Sequence, residues 1–160
     1  MTAVTHVALK SGVSLAVAEW AGPAKGPAVV CVHGLTANHT CWASVADALS
    51  PAHRLIAYDL RGRGESDKPE QGYSLMHHNE DLLGLLDHFG LKRAVLVGHS
   101  LGAHIAVRFA ATHPERVAKL VLVDGGIDVR YEVLESLRPA INRLGVEFPS
   151  LDMFLGFVRM

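Results

Sequence analysis

Cysteine is scarce in this chain: two residues among 160 cannot form a disulfide framework. Cys31 lies inside an apolar run and Cys41 beside Trp42, without the spacing of a metal-binding pair, so both read as reduced structural thiols. An excess of one charge is also missing. Fifteen Lys and Arg against sixteen Asp and Glu leave a formal charge of −1, too little to draw nucleic acid or an anionic membrane. No apolar run reaches bilayer-spanning length, and Met1-Thr2-Ala3-Val4-Thr5-His6 has neither the positive nor the apolar region of a secretory leader. A cytoplasmic location and small, weakly charged partners are therefore expected, with no nucleic acid and no membrane. Repeats, low-complexity tracts and long linkers are absent as well.

What is present is 49% hydrophobic and 19% charged sequence, enough for one globular core. Apolar β-rich runs alternate with helical patterns, which predicts an α/β architecture: a mostly parallel sheet with helices on both faces. His6 to Lys10 and Val13 to Trp20, separated by Ser11-Gly12, read as an antiparallel hairpin. Ala28 to Val32 reads as a strand buried on both faces, followed at once by the tight His33-Gly34-Leu35 loop. A helix with Trp42, Val45 and Leu49 on one face leads to a strand over Arg54 to Tyr58, closed by Asp59. The glycine-punctuated stretch from Asp59 to Pro69 is loop, and Ser74 caps a helix carrying Leu75, Leu82, Leu86 and Phe89. Ala94 to Val97 reads as a central strand, Leu101 to Thr112 as a helix, and Val117 to Val123 as another buried strand. Leu134, Leu137, Ile141 and Leu144, with a kink at Pro139, predict a further helix, and Phe154, Leu155 and Val158 a second short one.

The chemistry concentrates in Gly98-His99-Ser100-Leu101-Gly102, a G-x-S-x-G pattern between a buried strand and a helix. Two glycines permit a sharp turn that pushes Ser100 out at the carboxyl edge of the sheet, where its Oγ can meet a substrate. The helix starting at Leu101 directs free N–H groups to the same place, favouring the negative charge that develops when a serine attacks a carbonyl. The amides of Leu35 and Leu101 are the expected pair of oxyanion donors.

His33-Gly34, Asp59-Leu60-Arg61-Gly62-Arg63-Gly64-Glu65-Ser66 and Gly98-His99-Ser100-Leu101-Gly102 resemble, in order, three successive motifs of the α/β-hydrolase family. The resemblance covers most of residues 1–126. It implies an α/β-hydrolase core over 1–126, a helical cap beginning at 127–160, a serine–histidine–acid triad, and no metal or organic cofactor. Fold and length together imply a sheet cut short after about six strands. The activity implied is cleavage of a carboxylic ester or related acyl bond in a small molecule through a Ser100 acyl-enzyme; lactonase, C–C hydrolase and acyltransferase chemistry stay open. Serine rather than aspartate at position 100 argues against dehalogenase and epoxide-hydrolase chemistry.

Several residues have a plainer alternative. Asp124, 24 residues after Ser100, is the candidate acid within the chain, against a strand-end aspartate capping Gly125-Gly126; the usual family arrangement favours the latter. His33 and His99 read as structural, with His99 pointing away from the site. Asp59, Arg61 and Arg63 read as a polar brace rather than an anion site. His77, His78 and Asp81 read as surface residues rather than metal ligands, because adjacent helical residues project about 100° apart. No histidine follows His113, so the triad base has no source in this sequence. The expectation is a fragment of a longer enzyme, nearly inactive alone, with possible self-association through an exposed sheet edge. The competing reading is an inactive, shortened relative that binds a ligand or partner.

Overall fold

The computed structural model describes residues 3–23, 26–125, 135, 138, 139, 142 and 146–158. The chain divides into two compact units, Met1–Asp128 and Val129–Met160. Among its described residues the first contains six strands: β1 (Thr5–Ala8), β2 (Ser14–Trp20), β3 (Val29–Val32), β4 (Leu55–Tyr58), β5 (Ala94–His99) and β6 (Val117–Val123). They form one sheet in the order β1-β2-β4-β3-β5-β6. β1 and β2 make an antiparallel hairpin, β2 runs antiparallel to β4, and β4, β3, β5 and β6 are mutually parallel. The hairpin turns at Gly12, whose φ of 84° lies in the region that glycine enters without steric cost.

Alternation along the buried strands splits the core between two faces. Val30 and Val32 of β3 join Ile56, Tyr58, Leu96 and side chains of α2 (Leu75–His88) and α3 (Leu101–Thr112). Their neighbours Val29 and Cys31 pack on the other face with Leu55, Ala57, Trp42 and Ala46 of α1 (Ala43–Leu49). Every residue of β3 and β4 is buried, which explains their unbroken apolar sequences. Parallel pairing of β3 with both β4 and β5 aligns the carboxyl ends of all three, and the loops leaving them meet there.

Four local expectations need correction. Residues His39–Trp42 form a 3₁₀ turn before α1, so the helical count from Trp42 does not carry into the helix; Ala46 faces the core while Val45 and Leu49 are exposed. Ser74 occupies the N-cap of α2, but its Oγ bonds His77 Nδ1 at 2.7 Å instead of a backbone N–H. β6 is not buried: Leu120 to Val123 are exposed, because β5 is its only sheet neighbour among the described residues. For the same reason β5 is next to the edge rather than central.

In the second unit, α4 (Leu151–Val158) is the second short helix expected from the sequence, and Phe148 packs against Phe154 and Phe157 at 5.5 and 5.2 Å. Leu134, Leu137, Ile141 and Leu144, on which the preceding helix was expected, lie outside the described residues. No helix among the described residues is long and apolar enough to cross a membrane.

Candidate active site

Ser100 stands alone between the end of β5 and the start of α3, with φ 51° and ψ −116°. A non-glycine residue held there costs on the order of 1–3 kcal/mol, so its surroundings must impose the conformation. They do so through its backbone. Ser100 N–H donates to the Val123 carbonyl at 3.0 Å, and the Ser100 carbonyl accepts from Ala103 N–H at 2.9 Å. The flanking glycines are required by close approach. A β-carbon on Gly98 would overlap the Gly102 carbonyl, and one on Gly102 would overlap the Val32 carbonyl. The motif therefore lets α3 seat directly on the ends of β5 and β3, with the half-buried serine at its N-terminus.

The loop leaving β3 faces this turn. A β-carbon on Gly34 would stand 3.3 Å from Ser100 Cβ and 3.0 Å from His99 Nδ1. Leu35 and Leu101, the expected oxyanion donors, thus belong to two backbone segments that meet at the same sheet edge. His33 is fully buried. Its Nε2 accepts from Leu60 N–H at 2.9 Å, which leaves the ring proton on Nδ1 to donate to the Gly34 carbonyl at 2.7 Å. Burial pushes the His33 pKa below its ordinary value, keeping the ring neutral.

His99 does not point away from the site. Its ring lies against Gly34, which has no side chain to exclude it, and its Nε2 is 3.9 Å from Asp124 Oδ2. Asp124 follows β6 with φ 46°, and its side chain is 88% exposed. Ser100 Oγ makes no hydrogen bond to a histidine among the described residues.

Behind the site lies a buried polar layer centred on the loop after β4. Asp59 Oδ1 accepts from His39 N–H at 2.6 Å and pairs with His39 Nδ1 at 2.8 Å, while Oδ2 accepts from Glu65 N–H at 2.8 Å. Arg61 donates through Nε and Nη2 to both oxygens of Asp81, each at 2.6 Å, and through Nη1 to the Gly72 carbonyl at 2.7 Å. Arg63 donates from Nε to the Leu35 carbonyl at 2.6 Å and from Nη1 to the Gly62 carbonyl at 3.0 Å. Asp59, Arg61 and Arg63 therefore brace neighbouring loops.

His78 and Asp81 are not surface residues, since the Arg61 pair draws that side of α2 inward and both are buried. Burial, then the Arg61 and Arg63 charges, push the His78 pKa down to about 4. The sequence signal for His78 and Asp81 was their spacing of one helical turn, which places both on one face of α2. His39 gave no such signal. Among the described residues, no group of three or more His, Cys, Asp or Glu is arranged to hold a metal.

A family model described as alpha/beta hydrolase fold matches residues 27–145. The chain is 38% identical over 117 residues to a 2-(acetamidomethylene)succinate hydrolase of Mesorhizobium japonicum, covering 73% of this chain and 42% of that protein. Its structure is similar to that of an alpha/beta hydrolase from Novosphingobium aromaticivorans, with a TM-score of 0.82, 32% identity, and coverage of 88% of this chain and 50% of that one. The enol-lactonase from Burkholderia xenovorans gives a TM-score of 0.74 at 27% identity, covering 87% of this chain and 58% of that one. The chain thus spans about half the length of the proteins it matches.

Proposed function

This chain belongs to the α/β-hydrolase family, and we propose that it carries the nucleophile and oxyanion side of a serine hydrolase acting on a carboxylic ester or related acyl bond of a small molecule. The observation carrying this reading is Ser100 held at φ 51° between β5 and α3, with the Gly34 loop against it. In the proposed reaction Ser100 Oγ attacks the acyl carbon and gives up its proton to a general base. The amides of Leu35 and Leu101 hold the resulting oxyanion. Collapse of the tetrahedral species breaks the bond to the leaving group, which takes the proton, and water then releases the acyl group from Ser100.

Asp124 is the acid candidate that residues 1–160 offer, and the base is a histidine they do not supply, since none follows His113. Residues 127–160 are proposed to begin a cap. No organic cofactor or metal enters the reaction. The near-neutral charge and the free thiols Cys31 and Cys41 fit a cytoplasmic setting.

Loss of the histidine from a serine triad has cost roughly 10⁶ in turnover in a protease, so slow chemistry is expected from this chain alone. A fluorophosphonate probe tests the reading. Labelling of the wild-type chain that disappears in Ser100→Ala is the expected result. A chain that melts cooperatively yet takes no label would overturn the enzyme reading and favour an inactive binding module.

A further inference from the structure

We propose that His33 and Arg63 are positioning residues that clamp the two peptide planes on either side of the Leu35 α-carbon, so that the Leu35 N–H is aimed before any substrate arrives. This deepens the proposed serine-hydrolase reading and rests on it for its catalytic meaning.

In a trans peptide the C=O and N–H point in opposite directions across a rigid plane. The Leu35 N–H therefore points wherever the Gly34 carbonyl does not. That carbonyl is held from one side, accepting from His33 Nδ1–H at 2.7 Å and from Ala37 N–H at 3.2 Å. His33 cannot turn to another partner, because Leu60 N–H occupies its Nε2 at 2.9 Å. The next plane is pinned independently: the Leu35 carbonyl accepts from Arg63 Nε at 2.6 Å. With both planes fixed, the backbone dihedrals at Leu35 have no freedom left. Contact between Gly34 and the Ser100 turn then sets where the amide stands relative to the nucleophile.

The two arginines of the loop divide the work. Arg61 engages Asp81 through Nε and Nη2 and the Gly72 carbonyl through Nη1. Arg63 makes no ion pair among the described residues, and both of its hydrogen bonds go to carbonyls. An arginine serving only to neutralise a buried carboxylate would show the first pattern. Arg63 shows the second, which gives direction to a backbone segment and leaves a cationic group one peptide from the oxyanion donor. Donors held this way need no reorganisation as charge develops, the condition under which they contribute most to rate.

Backbone ¹⁵N relaxation of the full chain, together with fluorophosphonate labelling of Ser100, tests the clamp. In the wild type the Leu35 N–H should show an order parameter of about 0.85, typical of rigid backbone, falling toward about 0.6 in Arg63→Met while β3 and β5 are unchanged. Arg63→Lys, which restores a cationic donor, should recover most of the rigidity. His33→Asn, whose carboxamide N–H can replace Nδ1–H, should stay rigid where His33→Leu does not. In labelling, Arg63→Met should lower the limiting rate by about tenfold to 10²-fold, short of losing a whole oxyanion donor, with half-saturating probe concentration unchanged. A rigid Leu35 in Arg63→Met, or loosening spread evenly through the sheet, would overturn the clamp. If wild-type Ser100 takes no label, the proposed function falls and the Leu35 amide alone decides the clamp.

Discussion

The ends of β3 and β4 and the end of β6 lie along one sheet edge, yet they are built differently. Where β3 and β4 end, almost every polar group is committed: His33 to Leu60 and Gly34, Asp59 to His39 and Glu65, Arg61 to Asp81, Arg63 to Leu35. Where β6 ends, Asp124 is 88% exposed, with His99 Nε2 3.9 Å from its carboxylate. The first region is preorganised and the second is not. Oxyanion donors are useful only if they are rigid before charge appears, so they need this buried bracing. A carboxylate at an open strand end has no comparable constraint. The contrast sets a loop end locked by buried hydrogen bonds, where the proposed oxyanion donor Leu35 stands, against an open strand end, where the proposed acid Asp124 stands.

The braced region should fail most severely when one partner of its buried ion pair is removed. Asp81→Ala leaves the Arg61 guanidinium buried without its carboxylate, which typically costs about 3–5 kcal/mol, a large share of a domain's total of about 5–15 kcal/mol. Urea unfolding should show a steep fall in midpoint, or no folded baseline. Replacing both partners, as Asp81→Leu with Arg61→Met, should recover much of the loss, because an apolar pair of similar volume removes the stranded charge. A loss below about 1 kcal/mol for Asp81→Ala would mean that this layer is open to water and braces nothing.

Acid should expose the same region with a smaller effect. In the folded chain burial pushes the His78 pKa down to about 4, whereas a solvated histidine, as in the unfolded chain, has a pKa of about 6.5. Between those limits the unfolded state binds a proton that the folded state refuses. The contribution of neutral, buried His78 is therefore complete above about pH 6.5 and is lost progressively as pH falls toward about 4, reaching about 2 kcal/mol by pH 5. His33, shifted in the same direction by burial, adds to the trend. Urea midpoints at pH 7 and pH 5 measure it, and His78→Gln should flatten the difference. Equal midpoints in the wild type would show that the ring is already protonated or solvated.

Much of this was legible in the sequence where a single local rule decides the outcome. Strand β2, helix α3 and the serine turn follow from apolar runs, a proline boundary and glycines that permit contact, and they fall within a residue or two of their expected bounds. The G-x-S-x-G motif leads to the expectation that the His33-Gly34-Leu35 loop faces the serine turn, and Gly34 does lie against His99 and Ser100. What could not be read depends on partners distant in the chain. His78 and Asp81 look like solvated helix residues until Arg61, 20 residues before Asp81, is seen to reach across to them. His99 was expected to turn away, yet its ring fills the space left by a glycine in another loop. The exposure of β6 escapes the sequence for the opposite reason: its sequence is that of an interior strand, and only the sheet order shows that β5 is its one neighbour among the described residues.

That mismatch yields the smallest predicted effect and the sharpest test of the contrast. Val121 pairs with Val97 on β5 but is 45% exposed, so Val121→Lys should change stability by no more than about 0.5 kcal/mol. Leu96→Ala, removing a fully buried side chain from the adjacent strand, should cost about 2–5 kcal/mol. The two substitutions thus compare an open strand with a covered one across a single set of ladder hydrogen bonds. A loss above about 2 kcal/mol for Val121→Lys would mean that something covers β6 in solution, and dilution would identify a second copy of the chain if the loss vanished with concentration. In that case the edge next to Asp124 would be as enclosed as the ends of β3 and β4. The acid side of the site would then have to be judged in the assembly rather than in the isolated chain.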